Sequence, residues 1–188
     1  MSEEESAPFF QFLLEEATKA EVSYVACKSQ IDSAESNNPI IGCVLASITD
    51  DHSEYKAVPL FESATQKQKF FVEFVDFLFE APLKNLSMAR ILKLDIFSVD
   101  PQYRRHKLCQ KMVQLCMEDA VVRQSCDVAI VLATSHKSQA LMGNEKFVTV
   151  NFCCFAEYNE RLNDSEYKFV MKDPLNLTAK VMAKIMIS

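Results

Sequence analysis

Glycine occurs only twice in the 188 residues, as Gly42 and Gly143, and that scarcity limits which folds the chain can build. Rossmann and P-loop phosphate sites need several glycines, because a residue without Cβ lets the backbone approach a phosphate closely. Both are excluded. The composition otherwise suits one soluble domain with a sizeable core, at 49% hydrophobic and 24% charged residues. No apolar run approaches the roughly 20 residues of a membrane span, so no membrane partner is expected. A net charge of −6 argues against nucleic acid, whose phosphates call for a basic face. The N-terminus, Met-Ser-Glu-Glu-Glu-Ser, is acidic and unlike a secretory signal. Seven cysteines, an odd number without metal-ligand spacing, read as buried thiols of a reducing compartment. That points to the cytoplasm and to no metal centre.

Apolar spacing lays out the elements. Phe10, Leu13, Leu14 and Ala17 predict a helix over 8–20. Val22–Lys28 and Pro39–Ser47 are β-prone runs, and the polar Gln30–Asn38 between them reads as a hairpin turn. Residues 50–63 are polar and irregular. Phe71, Phe74, Val75 and Leu78 mark a helix over 64–80, closed from outside by Pro82. A strand over 88–99 and a helix over 104–123 follow. In that helix Cys109, Met112, Val113, Cys116 and Ala120 keep the stripe of a face packed on a sheet. Asp127–Ala133 is a continuous apolar run, as expected of a strand buried on both faces. A helix over 136–145 precedes Phe147–Ala156 and Glu166–Met171, an expected antiparallel pair. Leu177, Val181 and Ile185 predict a last helix over 174–186. The fold class is α/β, a mixed sheet flanked by helices in a single domain over 1–188, without linker or repeat.

Residues 97–109, Phe-Ser-Val-Asp-Pro-Gln-Tyr-Arg-Arg-His-Lys-Leu-Cys, carry the densest functional signal. An apolar strand runs into the Asp100-Pro101 turn, and a basic loop then opens a long helix. That order aims backbone N–H groups and a helix N-terminus at one point, which is how a chain without a metal binds a pyrophosphate. Cations at a helix N-terminus are unfavourable by about 0.3–1 kcal/mol, yet Arg104, Arg105, His106 and Lys107 stand there in a row. A bound anion would reverse the sign. The alternative is a solvated basic helix start.

The stretch resembles motif A of the GCN5-related N-acetyltransferases (GNAT), V-x-P-x-(Y/F)-R-x-x-G-x-(G/A). Val99, Pro101, Tyr103 and Arg104 match; Lys107 stands at the family's glycine and Cys109 at its Gly or Ala. The resemblance is closest to the arylalkylamine (dopamine) N-acetyltransferase-like branch and extends along the chain. Ile41–Leu45 resembles that branch's second hairpin strand, and Ala133-Thr134 with Ser138-Gln139 and Phe147 resembles its A-T-x-x-x-S-Q segment followed by Gly-Phe. It implies the GNAT fold lacking its first strand and helix, with acetyl-CoA between the strands that end at Val99 and Ala133. The implied cofactor residues are Phe97, Ser98, Val99, Arg104, Arg105, His106, Lys107, Leu108 and Cys109. Amides of the loop would hold the pyrophosphate, and backbone groups of Phe97 and Val99 would pair with the pantetheine arm.

The implied reaction is direct acetyl transfer to a small primary amine, arylalkylamine or polyamine-like, in a ternary complex. A homodimer is admitted. Ser138 is a candidate for substrate contact or proton relay, or else a serine that satisfies helix N–H groups. A family tyrosine acid is replaced by Met142, the branch's second serine by Asn144, and its glycine by Lys146. The branch's acidic D-E-P motif is absent. Asp95, Glu15 or Glu16 could stand in as base, each weighed against a role as a solvated or paired carboxylate. His136, at the mouth of the strand that ends at Ala133, is a further candidate. The phenylalanines of 64–80, with Phe152 and Phe155, could line an amine pocket or fill the core. The rival class of function is a catalytically degenerate CoA-binding sensor or protein-interaction module.

Overall fold

The computed structural model describes residues 3–28, 38–50, 65–86, 89–162 and 167–186. In chain order they form α1 (Glu3–Ala20), β1 (Tyr24–Cys27), β2 (Ile40–Thr49), α2 (Gln66–Asn85) and β3 (Ile91–Val99). A 3₁₀ turn (Pro101–Tyr103), α3 (Leu108–Gln124), β4 (Val128–Ala133) and α4 (His136–Asn144) come next. The chain closes with β5 (Val148–Cys154), α5 (Phe155–Arg161) and β6 (Thr178–Ile185). The strands make one mixed sheet of six, in the order β1-β2-β3-β4-β6-β5. The α/β class is as expected. α1 starts at Glu3, ahead of the predicted 8, with Pro8 inside it. The polar link before β2 and the irregular stretch after it fall almost wholly outside the described residues. Among the described residues no helix is long and apolar enough to cross a membrane.

Two compact units share these elements. One comprises Phe10–Thr49, Arg90–Ala129 and Ile185–Ser188. Here β1, β2 and β3 form an antiparallel meander, with Tyr24 opposite Val44 and Gly42 opposite Val99. Leu45 faces Ile96 while Ala46 faces Leu94, which makes Asp95 the extra residue of a β-bulge. Helix α3 packs on β2 and β3 through buried Met112, Val113, Cys116 and Ala120. Gly42 permits that approach. A Cβ there would lie 3.2 Å from Met112 Cε, 3.2 Å from Val99 Cγ2 and 3.1 Å from the Ser98 carbonyl oxygen. At its far end α3 stops at Ser125, left-handed at φ 52°. Ser125 N–H bonds Val121 O at 3.2 Å, and Cys126 N–H bonds Ala120 O at 3.0 Å.

The other unit comprises Met1–Phe9, Asp50–Ala89 and Ile130–Lys184. Its α2 opens with a capping box: Gln68 N–H donates to Thr65 Oγ1 (3.3 Å) and Thr65 N–H donates to Gln68 Oε1 (2.7 Å). Pro82 does not close this helix from outside; it lies inside α2 and is buried. A proline there has no N–H for the carbonyl four residues back, which belongs to Leu78. Asn151 of β5 supplies the missing donor, its Nδ2 reaching Leu78 O at 2.8 Å. Asn151 can do so because it follows a register shift between Thr149 and Asn151 in the β5–β6 pairing. Phe74, Phe155, Tyr158 and Phe169 pack as one aromatic cluster, with ring centroids 4.6–6.0 Å apart. Phe74, Phe155 and Tyr158 are buried.

The C-terminal third departs most from expectation. β5 pairs with β6, Val148 opposite Ala183 and Cys154 opposite Thr178, and not with the 166–171 segment. That segment, where described, is no strand: Phe169 exchanges two hydrogen bonds of 2.9 Å with the Asn159 side chain. An amide side chain thus replaces a neighbouring strand. The last element is a strand rather than a helix. Leu177, Val181 and Ile185 are spaced by four, which keeps residues on one side of a helix and also on one face of a strand. The alternation of buried Ala179, Val181 and Ala183 with partly exposed Lys180 and Lys184 is the strand's signature.

The Asn151–Leu78 bond yields a double-mutant test. Asn151→Ala should cost about 1–3 kcal/mol in urea unfolding, because it leaves a buried carbonyl without a donor. In a Pro82→Ala background the helix regains its own N–H, and the same substitution should cost markedly less. Equal costs in both backgrounds would refute the pairing.

Candidate functional site

β3 delivers the chain to the loop with a defined edge. Asp100 N–H donates to Ile41 O at 2.9 Å, and antiparallel pairing alternates residues that turn toward and away from the partner. Phe97 and Val99 therefore turn their backbone groups away from β2. Ser98 turns its own toward Cys43, leaving its exposed side chain for any ligand. Arg104 folds back, Nε donating to Val99 O at 3.2 Å, so one guanidinium already sits on the backbone group expected to meet a pantetheine amide.

α3 begins at Leu108, not at 104, and Arg104–Lys107 form a loop. Lys107 is not helical: it takes the left-handed conformation at φ 58°, and Arg105 does so at φ 69°. Each costs a residue with a Cβ about 1–2 kcal/mol. A left-handed lysine therefore stands where the resembled motif has glycine. No side chain caps α3. Lys111 N–H takes the Lys107 carbonyl at 2.9 Å, while the amides of Leu108 and Cys109 have no helical carbonyl before them. They meet no acceptor among the described residues. Arg104, Arg105, His106 and Lys107 are all exposed, so cationic side chains flank uncapped N–H groups at the positive end of a helix. Burial, reinforced by Cys43, pushes the half-buried Cys109 thiol up to about 11. Cys116 rises to about 12, chiefly by burial. Neither is a nucleophile at neutral pH.

Among the carboxylates weighed as bases, Asp95 is the most engaged. Its side chain is 2% exposed, pairs with Lys93 Nζ at 2.8 Å and accepts from Ser47 Oγ at 2.6 Å. It is the paired carboxylate of the two alternatives. Glu15 accepts from Gln11 at 3.1 Å and Glu16 pairs with Lys19 at 2.5 Å, both on the surface of α1.

In the other unit, the start of α4 gathers the remaining candidates. Ser135 is its N-cap and Ser138 closes a capping box, giving Ser138 the helix-satisfying role. Ser138 N–H donates to Ser135 Oγ (3.1 Å), Ser135 N–H donates to Ser138 Oγ (3.1 Å), and Ser138 Oγ donates to Ser135 O (2.8 Å). Gln139 Nε2 reaches Ala133 O at 3.3 Å and Thr178 O at 2.8 Å, tying α4 to β4 and β6. His136 lies against Asn176 and Asp173, residues that no apolar period or motif singled out. Lys146 ends α4 in the left-handed conformation at φ 68°. Its N–H bonds Gly143 O at 3.1 Å and Phe147 N–H bonds Met142 O at 3.0 Å, a Schellman closure. A second lysine standing where the resembled branch has glycine is thus also left-handed. Met142 is fully buried. Of the aromatics, Phe74, Phe79 and Phe155 are core, while Phe77 (41% exposed) lies under Arg161 and Phe152 is 63% exposed. Among the described residues no three His, Cys, Asp or Glu side chains group to hold a metal.

Lys107→Gly and Lys146→Gly should each raise stability by roughly 0.5–1 kcal/mol. Relief of the left-handed strain exceeds glycine's extra unfolded-chain entropy, and urea midpoints measure the gain. At pH 8 a thiol at 11 is ionised to about one part in a thousand. Iodoacetamide should therefore label exposed Cys27 well before Cys109 in peptide mapping.

No protein-family model and no curated protein matches the sequence. Solved structures do. Arylalkylamine N-acetyltransferase 2 from Aedes aegypti matches 96% of this chain and 80% of its own length, at 22% identity and TM-score 0.67. The Drosophila melanogaster polyamine N-acetyltransferase matches 93% and 79%, at 17% identity and TM-score 0.73. An agmatine N-acetyltransferase matches 95% and 82%, at 17% identity and TM-score 0.74. With its six-stranded mixed sheet and these neighbours, the chain has the fold of the GCN5-related N-acetyltransferases.

Proposed function

We propose that the chain transfers an acetyl group from acetyl-CoA to a small primary amine, directly and without a covalent enzyme intermediate. The observation that carries this is the loop before α3, strained at Arg105 and Lys107 and ending in uncapped amides. Ser125 and Lys146 offset their left-handed strain with hydrogen bonds to the preceding helical turn; among the described residues nothing comparable offsets it at Lys107. A pyrophosphate would. It would accept from the amides leading into α3, with the exposed Arg105 and Lys107 side chains adding charge. The outward-turned backbone of Phe97 and Val99 suits the amides of a pantetheine arm, with Arg104 yielding the Val99 carbonyl. A thioester carbonyl polarised by a backbone N–H would then be open to the amine. The neighbours named for arylalkylamine, polyamine and agmatine acetylation support a small amine as the acceptor class. Seven free cysteines suit a cytoplasmic setting.

Two observations favour a second function, CoA sensing without turnover. Met142, fully buried, stands where relatives outside the branch carry a tyrosine acid, and Asp95 is held in an ion pair. The loss of the acid is tolerable because a thiolate can take its proton from solvent.

Acetyl-CoA at 100 times its Kd should stabilise the chain by about 2.7 kcal/mol, read as a shift in Tm. No shift at millimolar cofactor would sink both functions. Arg104→Ala with Arg105→Ala should weaken acetyl-CoA far more than acetyl-pantetheine, which lacks the pyrophosphate; equal losses would make the arginines structural. Release of CoA thiol with tyramine, dopamine, serotonin, spermidine or a peptide separates the enzyme from the sensor.

A further inference from the structure

We propose that Arg104 makes the site selective for thioesters that carry a pyrophosphate. Its guanidinium holds the Val99 carbonyl, and attraction to a pyrophosphate at the loop would draw it off, freeing that carbonyl for a pantetheine amide. This rests on the acetyl-CoA binding proposed above and adds a control over it. Every residue involved belongs to the unit that contains β3 and α3.

The contact is built into the turn that ends β3. Asp100 Oδ1 accepts from Gln102 N–H at 2.8 Å, Tyr103 N–H donates to Asp100 O at 2.9 Å, and Arg104 N–H donates to Pro101 O at 3.4 Å. Pro101, the first residue of the turn, has its φ fixed by the ring. These bonds turn the chain through Arg104, whose Nε then reaches the Val99 carbonyl, five residues back, at 3.2 Å.

Val99 is the last residue of β3 and turns its backbone groups away from β2. A chain of amides laid along this edge needs that oxygen as an acceptor. A carbonyl oxygen has two lone pairs, yet a guanidinium at 3.2 Å crowds the approach and draws on the same electron density. While Arg104 stays there, the pantetheine arm is weakened by about one hydrogen bond.

The same side chain has donors to spare. Arg104 is exposed, and among the described residues its guanidinium makes no other hydrogen bond and no ion pair. The acceptor it holds is neutral. Hydrogen bonds from arginine to phosphate oxygens are roughly twice as strong and frequently bidentate. Arg104 is the first residue of the loop that ends at the uncapped amides of Leu108 and Cys109, so the exchange asks for side-chain rotation and no backbone movement. One donor with two alternative acceptors is a two-state element, and an anion that binds one state better shifts the population toward it.

The test uses the full chain, ¹⁵N-labelled and titrated by NMR, with acetyl-pantetheine, inorganic pyrophosphate and acetyl-CoA as probes. In the parent, saturating pyrophosphate should raise the affinity for acetyl-pantetheine about three- to ten-fold, the worth of one hydrogen bond. By linkage, acetyl-pantetheine should raise the affinity for pyrophosphate by the same factor. The Arg104 Nε–H signal, identified by its loss in Arg104→Ala, should shift on addition of pyrophosphate alone. Arg104→Ala should bind acetyl-pantetheine about three- to ten-fold more tightly than the parent, with no further gain from pyrophosphate, and should bind acetyl-CoA more weakly. A variant whose acetyl-pantetheine affinity is parental or lower overturns the proposal, as does a parent in which the two probes bind independently. In either case tight acetyl-CoA binding by the parent would leave the cofactor assignment standing. A parent that binds neither acetyl-CoA nor pyrophosphate defeats both.

Discussion

The seating of α3 on β2 and β3 sets the position of the loop that joins β3 to α3. It depends on a missing side chain: at Gly42, Met112, Val99 and the Ser98 carbonyl close to within 3.1–3.2 Å of where a Cβ would stand. With the helix seated there, its first amides are brought to the end of the strand whose alternate residues turn away from β2. The loop Arg104–Lys107 is the short segment left to join two fixed points, and two of its residues, Arg105 and Lys107, take left-handed backbone.

Left-handed backbone is distributed tellingly in this glycine-poor chain. Glu21, Arg105, Lys107, Ser125 and Lys146 all have positive φ, and neither glycine does. At Ser125 and Lys146 the strain closes a helix and is answered by hydrogen bonds to the preceding turn. At Arg105 and Lys107 it opens a helix, with no cap. The same local conformation closes a helix in one place and opens one in the other. Gly143 illustrates the converse, since a Cβ there would meet nothing within 4 Å.

What the sequence made legible follows from how local each signal is. The buried run of β4, the capped start of α4 and the stripe of α3 are written in consecutive or helically spaced residues, and the structure agrees with them. Pro82 was misleading because its remedy, Asn151, is far away in the chain. The last strand was misleading because residues four apart serve either period. The site divides the same way. The strand-turn-loop order around Val99–Lys107 was visible, but the positive φ of Lys107 was not, since nothing in a lysine announces it. Asp173 and Asn176 were invisible because they meet His136 through a turn, forty residues away for Asn176. Asp95 illustrates a residue whose type suggested chemistry and whose partners, Lys93 and Ser47, show it engaged in the sheet.

The bond from Asn151 to Leu78 also bears on the order in which the chain assembles. Most helices satisfy their carbonyls from within and can form as soon as they are synthesised. The last turn of α2 cannot, because Pro82 withholds a donor and the replacement arrives from a strand 73 residues later. That turn is a non-local structure inside a local one. It completes only when β5 has docked, so part of α2 is tied to the slow, loop-closing phase of folding, while its capped N-terminus is free to form early.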